Sequence, residues 1–438
     1  MIPCVSHALV PLSGWGGCDK GHRAALGVPM AQVEDTPTTC RRHADDMPTP
    51  SLPTMSQDAC DWIDWSDDQG QPQRTRWRSL AGHPPPQRVV LADDRLSADT
   101  ALRHVRAGTG LLWRGDYQNA RQLLQALGRR MPTPAVTATA SLLVTFQAQR
   151  QAQARRAQSL GLLLLPFDAD HGLPLRRAPD VRAAGLQAHG PADAHYVASL
   201  RELLGAVGAF EWRRKGVEIP ALAARIHPHH GVFSPIRGEY VDLVAQTPMP
   251  DVAQAGGAFD IGCGTGVLSA LLAQRGLRVV ATDLDPRALA CTADNLARLG
   301  LTHSVSVVQA DLFPPGRAAL IVCNPPWVPA PAASAFDAAV YDPDSRMLRG
   351  FLAGLAVRLL PGGEGWLILS DLAEYLGLRP RQTLLEWIAA GGLRVLGRHD
   401  VQPRHGKAVD ASDPLFAARS REVTSLWRLV PQANRASG

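Results

Sequence analysis

No run of apolar residues in this 438-residue sequence approaches the roughly 20 that a helix needs to cross a bilayer, so a helical membrane protein is excluded. A secretory signal is also missing. No basic segment precedes the first apolar residues, and Pro3, His7 and Pro11 interrupt them. A soluble, cytoplasmic protein is expected. The seven cysteines include no Cys-x-x-Cys pair. Cys4, Cys18, Cys40 and Cys60 are irregularly spaced, and His227-Pro228-His229-His230 has no carboxylate or cysteine at ligand spacing, so no metal site is expected. Cys263, Cys291 and Cys323 fall on predicted strand ends or helix faces and read as small core residues. Lysine is nearly absent, with Lys20, Lys215 and Lys407 the only three, so positive charge here means arginine.

What is present is unevenly distributed. The net charge of +5 combines −6 over residues 1–73, +11 over 74–230 and zero over 231–438. The first stretch is rich in Pro, Thr, Ser, Asp and Gly without sustained period and reads as a disordered segment, 1–75, in which Met30, Met47 and Met55 offer alternative starts. Residues 76–230 read as a separate, mostly helical, basic domain. Helices are predicted over 100–107, 118–130, 140–159 and 194–207, with a β-hairpin over 162–177. Arginine binds phosphate through two parallel hydrogen bonds and stacks on bases. This domain is therefore read either as a substrate-recognition module or as a scaffold with a solvated face. The histidine run at 227–230 reads as a linker to the second half of the chain.

Residues 231–438 carry the chemistry. Phe259-Asp260-Ile261-Gly262-Cys263-Gly264-Thr265-Gly266 reads as a buried strand entering a glycine turn and then a helix with Val267, Leu268, Leu271 and Leu272 on one face. Glycine lets the backbone adopt torsions that a Cβ forbids and approach a ligand closely. A second strand ends in Asp283, where an acid can accept both hydroxyls of a ribose. Asp285 and Pro286 then start a helix with Leu289, Ala293 and Leu296 inward, and Gly300 stops it. A third strand ends at Ala310-Asp311-Leu312-Phe313, and a fourth at Asn324-Pro325-Pro326-Trp327. Further strands at 365–369, 393–397 and 423–429 alternate with helices at 345–360 and 378–390, which gives an α/β fold with seven strands. A loop with His405, Lys407, Asp410 and Asp413 is expected to face substrate.

In these motifs the sequence resembles the class I S-adenosylmethionine-dependent methyltransferases, within the group bearing (Asn/Asp)-Pro-Pro-aromatic. That group methylates planar nitrogens of release-factor glutamines and of adenine and guanine amines. Dinucleotide-binding enzymes share only the glycine turn and the ribose acid. The resemblance implies a Rossmann-like, seven-stranded, doubly wound sheet with S-adenosylmethionine as cofactor. It implies that Asp260, Gly262, Gly264 and Gly266 form the methionine-side loop, that Asp283 holds the ribose and that Asp311 reaches the adenine amine. Asn324, Pro325, Pro326 and Trp327 would hold the target nitrogen. Val232-Phe233-Ser234-Pro235, with Tyr240 and Leu243, resembles the segment that covers the cofactor in the release-factor branch, as does Gln309-Ala310-Asp311-Leu312-Phe313. Two departures stand out: Ile236-Arg237-Gly238-Glu239 is less acidic than that branch, and Trp327 replaces Tyr or Phe. The implied acceptor is a glutamine of a translation protein, with an RNA base amine as the alternative. An inactive binding module is the reading from another class.

Overall fold

The computed structural model describes residues 62–131, 141–235, 238–331, 339–403 and 409–432. The described residues fall in one compact unit with two large sheets. Among the described residues no helix is long and apolar enough to cross a membrane.

The first sheet is built from β1 (Trp62–Ser66), β2 (Pro72–Trp77), β3 (Arg88–Ala92), β4 (Thr109–Trp113), β5 (Leu163–Phe167) and β6 (Tyr196–Ser199), in the order β1-β2-β6-β5-β4-β3. Helices α1 (Ala98–Arg106), α2 (Tyr117–Arg130), α3 (Leu142–Gly161), α4 (Arg182–His189) and α5 (Leu200–Lys215) accompany it. Successive strand side chains point to opposite faces, and the burial obeys that rule. Leu111, Trp113, Leu163 and Leu165 meet α1, α2 and α5 in one core, while Leu112, Leu164, Val197, Ile63 and Trp77 form another. A small hairpin of β7 (Val217–Ile219) and β8 (Ala224–Ile226) comes next in the chain.

Several expectations for this region need correction. The helices are present, but they pack on a six-stranded mixed sheet that a mostly helical description misses. The predicted hairpin at 162–177 does not form: β5 pairs with β4 and β6, and Leu173–Arg177 is not a strand. The helix expected from 194 begins at Leu200, after β6. Residues 62–73, assigned to the disordered segment, belong to β1, its turn and β2. β1 and β2 pair with each other as a local hairpin, and β2 also pairs with β6 far along the chain, which the composition of this stretch does not show. Residues 1–61 are outside the described set.

The second sheet confirms the seven-stranded, doubly wound reading. Its elements in chain order are α6 (Glu239–Gln246), α7 (Ala253–Gly256), β9 (Ala258–Ile261), α8 (Val267–Gln274), β10 (Val279–Asp283), α9 (Pro286–Arg298), β11 (Val305–Gln309), β12 (Ala318–Cys323), α10 (Arg346–Arg358), β13 (Leu359–Ser370), α11 (Leu372–Tyr375), α12 (Arg381–Ala390), β14 (Leu393–Val401), α13 (Phe416–Arg419) and β15 (Thr424–Pro431). The strand order is β11-β10-β9-β12-β13-β15-β14, parallel except for β15, which runs antiparallel to both neighbours.

Both faces are covered, as a parallel sheet requires. Leu320, Val322, Trp366 and Ile368 meet α6 and α8 on one face. Ile321, Cys323, Leu367 and Leu369 meet α10 and α12 on the other. Asp285 caps α9 by accepting from the Arg287 amide at 2.9 Å, with Pro286 at the first helical position. Ala293, expected inward on α9, is exposed. The buried polar face instead carries Thr292 and Asn295, which serve the glycine loop.

Phe351 is fully buried in the core between the sheet and α10, and its ring stacks on Phe313 at 5.8 Å. Truncation to alanine leaves a cavity that the sheet cannot collapse into. Phe351→Ala should lower the unfolding free energy by about 3–5 kcal/mol in a urea titration, and a loss below about 1 kcal/mol would contradict this packing.

Candidate active site

The parallel order β11-β10-β9-β12 brings four loops to one sheet edge. Asp311 follows β11, Asp283 ends β10, the glycine loop follows β9 and Asn324 follows β12. Adjacent strands lie about 4.8 Å apart, so the row spans on the order of 15 Å. The order in which strands are added reverses at β9, with β10 on one side and β12 on the other, all three parallel. That reversal opens the crevice where open α/β sheets hold ligands.

The three glycines of the loop all have positive φ, with distinct surroundings. A Cβ at Gly262 would lie 2.5 Å from Met347 Cε, and one at Gly266 would lie 2.9 Å from Thr292 Cγ2. Gly266 is required by the close approach of Thr292 on α9, and Gly262 by its φ of 74°. A Cβ at Gly264 would meet no atom within 4 Å, so this turn faces open space. Thr292 donates to the Gly264 carbonyl at 3.0 Å, and Asn295 Nδ2 donates to the Thr265 carbonyl at 3.0 Å. Neither residue was recognised from sequence, although their spacing of three on the inward face of α9 was the available signal.

Asp283 accepts from the Gly264 amide at 3.0 Å through Oδ2 and from the Asp285 amide at 3.0 Å through Oδ1. Burial raises its pKa above the ordinary carboxylate value, and these backbone donors offset part of the rise. The adjacent Leu284 is 57% exposed, an apolar surface at the mouth of the crevice. Asp260 stands apart from the other site residues. It is 1% exposed beneath the loop and accepts from Ser269 Oγ at 2.5 Å. Burial pushes its pKa up to about 6, against the hydrogen bonds from Ser269, with the neighbouring charge of Asp283 adding to the rise.

At the two ends of the row, the candidate residues are already engaged. Asp311 is exposed and pairs with Arg346 at the start of α10, Nη2 to Oδ2 2.5 Å. Leu312 adopts φ 73°, its carbonyl accepts from Thr282 Oγ1 at 2.6 Å, and its side chain and Phe313 lie against Gly350 and Gly354 of α10. The Leu312-Phe313 phrase is thus a packing device that holds Asp311 in place. Asn324 Oδ1 accepts from Trp327 Nε1 at 2.9 Å. The Trp327 ring is half-buried against the two large cores of this sheet and a third, smaller one. Arg379, 3% exposed, directs Nη2 at the Trp327 carbonyl and Nη1 at Ser345 Oγ, each 3.5 Å away.

The upstream segment runs along α9, from its last turns to its start. The His227 amide donates to Asn295 Oδ1 at 2.7 Å and His229 Nε2 lies 3.1 Å from Asp294 Oδ2, so this run is a clasp rather than a free linker. Gly231 passes so near Arg287 that a Cβ would sit 2.9 Å from Nη1. Tyr240 and Leu243 are buried in the face covered by α6 and α8, and residues 236–237 are outside the described set. Asp413, expected to face substrate, is instead buried, where it pairs with Arg419 and caps the turn at Leu415. His405 and Lys407 are outside the described residues. The three cysteines of the domain are buried, and burial pushes Cys291 up to about 11.

A glycine turn open at Gly264, a carboxylate at the end of the next strand and an Asn-Pro-Pro-Trp turn on the other side of β9 stand along one sheet edge, in the order expected from the resemblance to S-adenosylmethionine-dependent methyltransferases. Residues 223–375 match the family described as "Methyltransferase small domain". Release factor glutamine methyltransferase of Cereibacter sphaeroides is 37% identical over 145 residues, which cover 32% of this chain and 49% of that protein. Ribosomal RNA small subunit methyltransferase C of Alcanivorax borkumensis is 31% identical over 131 residues, 29% of this chain and 36% of its own. The chain thus spans at most about half the length of these relatives.

Two outcomes are expected from this geometry. Asp283→Ala removes both backbone anchors and the carboxylate expected to accept from a ribose, so calorimetric titration with S-adenosylmethionine should show no binding, while NAD should give no heat with either protein. The folded-state pKa of Asp260 lies above its unfolded value near 3.9. The stability it contributes is therefore fully present below that value and lost as pH rises through about 6. Asp260→Asn should flatten the stability–pH curve over that interval by about 2–3 kcal/mol, and an unchanged slope in urea titrations would refute the assignment.

Proposed function

We propose that this protein transfers a methyl group from S-adenosylmethionine to a planar nitrogen, with a glutamine side chain of a translation protein as the favoured acceptor. The observation that carries this reading is the placement of Asn324-Pro325-Pro326-Trp327 across the β9 reversal from Asp283 and the glycine loop. The cofactor fits the residues present: the open turn at Gly264 admits its methionine end, Asp283 keeps lone pairs for the ribose, and Leu284 offers the adenine an apolar face. Asp260 supports the loop from below, and Asp311 stands at the adenine end, steadied by Arg346. When bound, S-adenosylmethionine supplies an electrophilic methyl on a positively charged sulfur.

The protein's own part is to prepare the nitrogen. An amide or aryl amine nitrogen has its lone pair delocalised into the carbonyl or ring, so it must be pyramidalised and aimed. Asn324 Oδ1 and the Pro325 carbonyl accept its two N–H donors. Pro325 and Pro326 fix φ and hold the acceptors in place before substrate arrives. Trp327 would stack on the planar group, and its N–H also fixes which end of the Asn324 amide is the acceptor. Positioning of this kind supplies roughly 7–11 kcal/mol of a barrier in well-aligned systems.

The release-factor relatives and the Asp311-Leu312-Phe313 phrase favour the protein acceptor. An RNA base amine is the second reading, favoured by the +11 balance of residues 74–230 and by the ribosomal RNA relative. In both, residues 62–230, with the boundary expected at 76 moved back to the start of β1, form a recognition domain beside a catalytic domain at 231–438, in a cytoplasmic protein. An inactive binding module has no use for an intact Asn-Pro-Pro turn.

Labelled S-adenosylmethionine should mark a protein band of a cell extract that survives ribonuclease. Label lost to nucleotides would make the RNA reading correct. Asn324→Ala should keep cofactor affinity and lose turnover, and equal turnover in mutant and wild type would remove Asn324 from the catalytic role. Trp327→Phe keeps the aromatic face but frees the Asn324 amide, so kcat should fall by about tenfold with KM changed less. Unchanged kcat would leave stacking as the only role of this ring.

A further inference from the structure

We propose that helix α3 of the amino-terminal region is a working part of the acceptor site, with Arg150 as the positioning residue. This helix lies outside the residues that match the methyltransferase family, yet it packs directly on the loop that follows Asn-Pro-Pro-Trp. Phe146, 7% exposed, shares a core with Val328, Ala330 and Tyr341, and the Trp327 ring lies against the same core. Arg150, one turn further on, donates from Nη2 to the Pro331 carbonyl at 2.6 Å and places its guanidinium 3.7 Å from the centre of the Tyr341 ring. A charge-assisted hydrogen bond and a close cation–π contact from one planar group fix both direction and distance.

The contacts made by Arg150 fall on the neck of a loop. Val328 and Tyr341 form an isolated parallel bridge, the Val328 amide donates to the Val340 carbonyl at 3.4 Å, and the Asp342 amide donates to the Val328 carbonyl at 3.0 Å. One side of this neck continues into Trp327 and Asn324. The other continues into Asp342, whose two oxygens accept from the Met347 and Leu348 amides at 3.0 and 3.2 Å and so start α10. Asp344 and Ser345 between them hold φ of 54° and 52°, a conformation that non-glycine residues keep only where surroundings impose it. From that helix start, Arg346 reaches Asp311 and Met347 reaches Gly262. The clamp at Arg150 thereby sets the acceptor turn and the cofactor edge relative to each other. Its bearing on catalysis rests on the methyltransferase reading above, whereas its bearing on the neck does not.

The test uses the full chain with Arg150→Met, which keeps the side-chain stem, and Arg150→Lys, which keeps the charge. Amide hydrogen exchange at Val328, Ala330 and Asp342 should accelerate by about tenfold or more in Arg150→Met, with Ile261 and Ala281 in the sheet unchanged. The calorimetric affinity for S-adenosylmethionine should stay within about twofold, while kcat for labelling the extract falls on the order of ten- to a hundredfold. Arg150→Lys should recover part of that loss. Unchanged exchange at the neck overturns the proposal. So does faster exchange throughout the sheet, which marks a general stabilising role, and so does faster neck exchange with normal kcat. If wild-type protein labels no pool, the methyl-transfer reading fails, and the exchange result alone decides the place of α3.

Discussion

The ladder that holds β9 between β10 and β12 is the constraint on which the rest depends. Asp260 pairs with Ala281 on one side and with Val322 on the other, all three strands running parallel. Because they are parallel, their carboxyl ends lie on one edge, and because chain order reverses at β9, the loops there diverge and leave a crevice. A shift of one residue in this register would turn Ile321 and Cys323 away from α10 and Leu320 and Val322 away from α8. The same burial that stabilises the sheet therefore fixes where Asp283, the glycine loop and Asn324 stand.

Around that edge, charge and backbone strain are held by packing from both sides. Thr292 and Asn295 of α9 secure the carbonyls of the glycine loop, and Met347 of α10 closes over Gly262. Buried arginine is used the same way: Arg379 reaches two oxygens near the acceptor turn although desolvation lowers its pKa. An unpaired charge at such a site would be expensive, so its neighbours Asp342 and Glu374 matter to its place. The amino-terminal region meets this arrangement through α3, where Arg150 reaches Pro331 and Tyr341, and through α5, where Arg213 pairs with Asp294 of α9.

Reading of the second half succeeded where each element is signalled locally. The glycines at 262, 264 and 266, the acid at 283, the cap at Asp285 and the turn at 324–327 carry their geometry in adjacent residues, and all lie at the expected strand ends. It failed where partners are remote. β2 is Arg-bearing and polar on its outer face, and it takes its place in the sheet through pairing with β6, more than a hundred residues later, although its hairpin with β1 is local. Leu173–Arg177 has the alternation of a strand, but the edge of β5 is already taken by β6.

By itself the sequence determined which residues can bend, cap, terminate and ionise, because those properties are set by a residue and its immediate neighbours. The tertiary structure alone decided what each side chain meets. Asp260 lies beneath its loop against Ser269, Asp311 is held by Arg346, Asn324 is held by Trp327, and Arg150 reaches across from another sheet to Pro331 and Tyr341. Such contacts join residues that are distant in the chain, and only the packing of both sheets into one compact unit brings their atoms within hydrogen-bonding distance.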